Sequence, residues 1–236
     1  MNPLEWKWAL GLRDSMGYVE YHPVYLDLNG RRVLIVGGGF VALEKLTSLL
    51  PRSGAVIDVL APEVRGEVRE LIEAGSIGWI PRVFQPEDVD PYFMVIAATN
   101  VPAVNAAVFQ AGNAKHKLSN SVDDPANCNF IMAAIVAAGP MQAAISSAGC
   151  SPAMAQRIRN RIAAELITTE VGALAEYLGS WRPAVKGAIA DFQTKKAFWE
   201  AVIDSEVPAA FAAGRRDLAD AGIRALLTCF SSRNPT

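Results

Sequence analysis

Gly37, Gly38 and Gly39 stand directly behind the apolar run Arg32–Val36 (RVLIV) and directly ahead of Phe40, Val41 and Ala42. This is G-x-G-x-x-A spacing, entered from a strand-like run and left through a helical pattern. In that setting Gly37 allows a tight turn and Gly39 lets backbone approach a pyrophosphate. Ala42 lets helix and strand pack closely, and the N–H groups at the helix start face the anion. The chemistry expected is dinucleotide binding; the plain alternative is a tight turn with no ligand.

The residue that should read the adenosine ribose is displaced. Ala61, followed by Pro62 and Glu63, stands twenty-four residues past Gly37, where the acid belongs. Asp58 lies earlier, within the strand, and by alternation faces away from the crevice. Glu63 is the nearer candidate; its alternative role is to start the next helix, where an acid complements the dipole. No arginine follows the strand immediately, which favours NAD over NADP. Ala97-Ala98-Thr99-Asn100 ends a later strand, so Thr99 is a candidate for the nicotinamide half and Asn100 for a helix cap. Asp123 ends the following strand at the crevice edge. By residue type alone, an aspartate ahead of Asp124-Pro125 is an ordinary turn former.

These positions need an alternating frame. Arg32–Val36, Ala55–Leu60, Ile77–Ile80, Phe93–Ala98 and Leu118–Val122 read as five strands. Leu43, Leu46, Leu49 and Leu50 mark one intervening helix, and Val64, Val68, Leu71 and Ile72 another, stopped by Gly75. A third runs through Val104, Ala107, Val108 and Ala111 behind Asn100. Alternation of this kind predicts a parallel α/β sheet of the Rossmann type. After Asp123 the pattern changes. Phe130–Val136 and Met141–Ser146 read as a β-hairpin about Ala138-Gly139-Pro140. Helices are then expected at Ala153–Leu166, Val171–Leu178, Ala184–Ile203 and Pro208–Leu227. The division expected is an N-terminal arm (1–25), a Rossmann domain (26–122), a small dimerisation and active-site unit (123–170) and a helical C-terminal domain (171–236).

Composition narrows the classes. The 236 residues are enough for a full domain and part of another at about 150 residues each. At 51% hydrophobic and 19% charged, the chain has ample apolar surface to order itself. Net charge is −2 with pI ≈ 5.8, so no global basic field exists to hold nucleic acid or an anionic membrane. Cys128, Cys150 and Cys229 form no C-x-x-C and only His22 and His116 are present, which argues against a disulfide framework and a His-rich metal centre. The first residues lack the apolar core of a signal peptide, and Gly139-Pro140 divides the stretch from Phe130 to Ile145 too finely for a membrane span. A cytoplasmic protein is expected.

Several segments in order carry a resemblance: VGGGFVALEK, IAATN, NSVDDP, FIMAAI, GPMQAAISSAGCSP and FQTKKAFWE, over roughly residues 24–205. The chain resembles the precorrin-2 dehydrogenase and sirohydrochlorin ferrochelatase family, comprising the N-terminal module of siroheme synthase and its stand-alone relatives. The resemblance implies NAD-dependent oxidation of precorrin-2 to sirohydrochlorin, in some members with insertion of ferrous iron, by a homodimer. It makes Asp123 the catalytic aspartate, serving metal insertion as well where that occurs, and Ser147 a residue beside the substrate. The cofactor residues are then Gly37, Gly38, Gly39, Phe40, Val41, Pro62, Glu63 and Thr99. Leu43-Glu44-Lys45 departs from the basic pair common at that point.

The carboxylate-rich macrocycle needs local positive charge. Arg157 and Arg161, at i and i+4 on one helix, suit carboxylates, as opposed to a merely solvated face; Lys186, Lys195 and Lys196 are weaker candidates. Ser151 ahead of Pro152 reads as a helix cap, and Cys150 as a bystander. The rivals are another NAD-linked dehydrogenase and an NAD-sensing dimeric module without chemistry.

Overall fold

In the computed structural model, residues 21–232 are described. Most of the expected arm, and the last four residues of the tail, lie outside them. The described residues divide into two compact units, one of residues 21–132 with 148–150, the other of residues 133–147 with 151–232.

The first unit is built on five parallel strands, β1 (Arg32–Val36), β2 (Val56–Leu60), β3 (Gly78–Ile80), β4 (Met94–Ala97) and β5 (Leu118–Ser121). Their order is β3-β2-β1-β4-β5, so strand order reverses between β1 and β4. Helices α1 (Phe40–Leu49), α2 (Gly66–Glu73) and α3 (Pro102–Ala114) connect them. Because both faces of the sheet are covered, the central strands are apolar without alternation: Val33, Leu34, Ile35 and Val36 are all buried. Val33 and Ile35 join Ala42 and Leu46 of α1 in one core, while Leu34 and Val36 join Val95 and Val108 of α3 in another. The Rossmann expectation holds, and the strands fall within a residue or two of their predicted bounds.

Asp58 of β2 does turn from the strand ends. It accepts hydrogen bonds from Arg32 Nη2 and Tyr92 Oη, both at 2.8 Å. The expected cap at Asn100 is corrected. Val101 is the capping residue of α3, and its N–H donates to Thr99 Oγ1 at 3.1 Å. Asn100 is exposed.

The second unit begins with a hairpin of β6 (Ala134–Ala138) and β7 (Met141–Ile145), antiparallel, with Ala138 opposite Met141. It starts four residues later than predicted, because Phe130 and Met132 pack instead on the core of the first unit. Helices α4 (Pro152–Glu165), α5 (Thr169–Ala188), α6 (Phe192–Ile203), α7 (Val207–Ala212) and α8 (Arg216–Ser231) follow. Ser151 caps α4 as expected, its hydroxyl accepting from Met154 N.

Three helix bounds differ from the periodicity reading. Helix α5 runs on through Pro183, since buried Tyr177 and Val185 on either side anchor it in one core. The run Ala184–Ile203 breaks at Ile189, which is buried in extended backbone, and Asp191 restarts the chain as α6 by accepting from Thr194 N at 2.6 Å. The run Pro208–Leu227 breaks at Gly214, whose φ of +73° ends α7.

Candidate active site

At the carboxyl end of β1 the chain makes the expected glycine turn, and the three glycines do different work. Gly37 has φ +122°, and a Cβ there would collide with the carbonyl of Ala98 at the end of β4. A Cβ on Gly38 would strike the Glu63 carbonyl and come within 2.8 Å of Val64 Cγ1. Gly38 O also accepts from Arg65 N at 2.9 Å, so the loop after β2 lies against the turn. A Cβ on Gly39 would meet nothing within 4 Å. Gly39 is the capping residue of α1 and no side chain caps that helix start. The N–H groups of Phe40, Val41 and Ala42 are therefore left by helix geometry without intrahelical partners. An open cradle with donors at its floor fits a pyrophosphate.

Pro62 and Glu63 are exposed in the neighbouring loop. Glu63 does not start α2; the acid in that helix's first turn is Glu67. Arg65, which sequence reasoning passed over, holds its guanidinium 5.9 Å from the ring centre of Phe40 and pairs with Glu67 at 2.7 Å. That pairing holds the exposed Glu67 carboxyl down at about 2. The signal for Arg65 was its place four residues beyond Ala61, outside the window where such residues are sought.

Thr99 is half-buried, and its hydroxyl is engaged by the fold. Oγ1 donates to Asn105 Oδ1 at 2.7 Å, and the Asn105 side-chain amide donates back to Thr99 O at 3.0 Å. Asn105 was another residue the sequence reading missed.

Asp123 lies two residues beyond β5. Since β1, β4 and β5 are parallel neighbours, it shares the sheet edge of the glycine turn with one strand between. Its φ is +59°, a left-handed conformation that costs a non-glycine residue energy and is retained where the surroundings impose it. Ser121-Val122-Asp123-Asp124 forms a tight turn closed by Asp124 N to Ser121 O at 3.2 Å. Asp124 carries the turn's own side-chain bond, accepting from Asn127 Nδ2 at 2.6 Å. Among the described residues the Asp123 carboxylate is exposed, with no hydrogen-bond or ion-pair partner. Beneath the turn sits Cys128, whose thiol burial pushes toward a higher pKa and keeps protonated.

In the second unit, Ser147 Oγ accepts from Ser151 N at 3.0 Å just ahead of α4. Arg157 and Arg161 do share a face of α4, but Arg161 is paired along the helix with Glu165 at 2.9 Å. The weaker lysine candidates share one groove: Lys186, Lys195 and Lys196 line it with Arg182, Phe192 and Trp199 between α5 and α6, at about 940 Å³, and Lys196 is paired with Glu200 at 3.7 Å. Among the described residues no three His, Cys, Asp or Glu side chains form a metal cage, and no helix is long and apolar enough to cross a membrane.

Comparison with known proteins follows the same layout. Residues 24–134 match a family model described as putative NAD(P)-binding, residues 138–165 one for the central part of a sirohaem biosynthesis protein, and residues 170–227 the sirohaem synthase dimerisation region. Siroheme synthase 1 of Yersinia enterocolitica is 43% identical over 182 residues, which are 77% of this chain and 38% of that protein. The siroheme synthase of Photorhabdus laumondii is 41% identical over the same shares. The chain thus spans about two-fifths of the length of these relatives. Among solved structures, SirC, precorrin-2 dehydrogenase, matches with a TM-score of 0.68 and 26% identity, over 90% of this chain and 100% of that one. Segments that match an NAD(P)-binding model, a central sirohaem-biosynthesis model and a dimerisation-region model succeed one another along the 236 residues, and the chain is similar in sequence to part of the siroheme synthases and in fold to a precorrin-2 dehydrogenase.

Proposed function

We propose that this chain oxidises precorrin-2 to sirohydrochlorin with NAD, and that Asp123 is the base. The observation that carries the reading is the state of Asp123. A strained backbone presents an unpartnered carboxylate at the same sheet edge as an open pyrophosphate cradle. Bound there, NAD supplies a hydride acceptor. Gly37, Gly38, Gly39, Phe40 and Val41 would hold its pyrophosphate, Pro62 and Glu63 would border its adenosine, and Thr99 would shape the wall from β4. Oxidation of the macrocycle releases a hydride and a proton, and the free carboxylate of Asp123 takes the proton. Neutral or acidic neighbours that already satisfy one another leave it available for that role.

Substrate contact is assigned to Ser147, Arg157 and Arg161, and ferrous iron enters as a second substrate where metal insertion follows, with Asp123 removing pyrrole protons. The working form is a cytoplasmic homodimer. Its support is apolar surface in the second unit: Met154 and Ile158 of α4, one turn apart, are 61% and 45% exposed, and Ile135 and Met141 of the hairpin are exposed as well. The division at residues 25, 122 and 170 follows these roles.

The test is incubation of the protein with precorrin-2 and NAD, followed by absorption. Appearance of the sirohydrochlorin spectrum, with NADH formed in equal amount, is expected. NAD binding without turnover of precorrin-2 would leave a sensing module in its place.

A further inference from the structure

We infer that Cys128 is a positioning residue for the reaction, its thiol clasping the turn that presents Asp123. The inference rests on the reading of Asp123 as the base.

The geometry is confined to one stretch of chain. Cys128 Sγ lies 3.1 Å from Ser121 O and 3.2 Å from Asp124 O, so a single S–H proton is shared between carbonyls on either side of Asp123. The sulfur is itself held from behind. Asn120 Nδ2 donates to Cys128 Sγ at 3.3 Å and to Phe130 O at 3.0 Å, and Asn120 and Cys128 pair as an isolated antiparallel bridge. Asn129 extends that pairing, donating its N–H to Ser119 O at 3.0 Å and accepting from Ser119 N at 2.8 Å through Oδ1. The segment 128–130 is thereby laid along β5 and carries the thiol into the mouth of the turn.

A turn with a left-handed residue at its third position favours glycine or asparagine there. Aspartate tolerates that place less readily than glycine, so contacts that fix the backbone help to hold it there. Beside the turn's own bond from Asp124 N–H to Ser121 O, the Cys128 thiol bridges the carbonyls of both its ends. Burial and the nearby Asp124 charge both favour the protonated thiol, the form able to donate. The side chain of Asp124 is turned to Asn127, so the clasp leaves Asp123 as the free carboxylate.

The test uses the whole chain with Cys128→Ala, Cys128→Ser and Asp123→Ala, alone and combined. Loss of the clasp lets the carboxylate wander, so Cys128→Ala is expected to lower kcat for precorrin-2 oxidation about tenfold. The KM for precorrin-2 and the Kd for NAD should stay within about twofold, because neither binding surface is touched. Cys128→Ser keeps a donor at the same place and should recover most of kcat. In the Asp123→Ala background, Cys128→Ala should cost nothing further. Amide exchange at Asp124, whose N–H closes the turn, should quicken in Cys128→Ala and not in Cys128→Ser. Wild-type kcat in Cys128→Ala beside an inactive Asp123→Ala would overturn the inference and leave the base assignment standing. A further full loss of kcat in the double variant would also overturn it. An active Asp123→Ala would instead bring down the base assignment itself.

Discussion

Thr99 and Asn105 are joined by three hydrogen bonds: the Thr99 N–H and hydroxyl both donate to Asn105 Oδ1, and the Asn105 amide donates to the Thr99 carbonyl. They bind the end of β4 to α3 at the point where strand order reverses, which is where open α/β sheets place their ligands. The crevice wall is therefore fixed before any cofactor arrives. Asn105 is buried, so Asn105→Ala takes the partner from the Thr99 N–H and the donor from its carbonyl, while the hydroxyl keeps Val101, and should cost about 1–3 kcal/mol. Urea unfolding checks this, and a variant as stable as wild type would show the bonds to be dispensable.

The glycine turn separates two effects that a fingerprint merges. Gly38→Ala drives a methyl group into the Glu63 carbonyl and Val64, so it should lower the melting temperature sharply. Gly39→Val points into open space beside the cradle and should fold normally while losing NAD. Thermal unfolding with NAD titration of both variants makes the comparison. A Gly39→Val protein with wild-type NAD affinity would remove the cradle assignment.

Arg65 sharpens the choice between NAD and NADP. Its guanidinium lies over Phe40 at the mouth of the cradle, with its charge taken up by Glu67. Wild-type protein should prefer NAD. Glu67→Gln frees the guanidinium for a ribose phosphate, so the Kd for NADP should fall several-fold with that for NAD unchanged. Fluorescence titration with both dinucleotides reads the ratio, and an unaltered ratio would place Arg65 outside the adenosine site.

What the sequence made legible was set by local, repeated signals. Strand runs such as Val33–Val36 are apolar throughout because both sheet faces are covered, and that pattern is readable without partners. The turn Gly37–Gly39 is likewise local. Side-chain reach across the fold was not. Asn105 and Cys128 look like ordinary helix and loop residues until α3 and the segment after β5 are laid beside the strand ends. Helix bounds failed where a tertiary core overruled periodicity, as at Pro183 within α5, or where a cap signal, Asp191 with Thr194, lay inside a continuous apolar rhythm.

The helical unit has its own alkaline limit. The Tyr177 hydroxyl donates to Asp220 at 2.7 Å, and burial, followed by that bond, pushes its pKa from near 10 up to about 12. Between those values the unfolded chain loses the proton and the folded chain keeps it, so stability falls as pH rises through the interval. Below pH 10 the contribution is fully present. Tyr177→Phe should remove this part of the alkaline decline, which unfolding curves recorded between pH 9 and 12 would show as a flatter slope.

Asp123 sets stability against activity in one residue. At φ +59° a glycine or asparagine is more comfortable than aspartate, so Asp123→Gly and Asp123→Asn should fold with equal or greater stability. Either one lacks the carboxylate, and dehydrogenation should drop by about 10²–10⁴-fold, the range typical of a lost general base. Asp124→Ala should behave the other way. It gives up the bond from Asn127 that shapes the turn, so it loses some stability, while the reacting carboxylate remains and most activity with it. Thermal unfolding and single-turnover rates on the three variants separate strain from chemistry. Where metal insertion accompanies dehydrogenation, supplying sirohydrochlorin with ferrous iron bypasses the hydride step, and the Asp123 variants should fail there as well if one base serves both. A variant more stable than wild type and equally fast would mean that the strained aspartate has no part in the reaction.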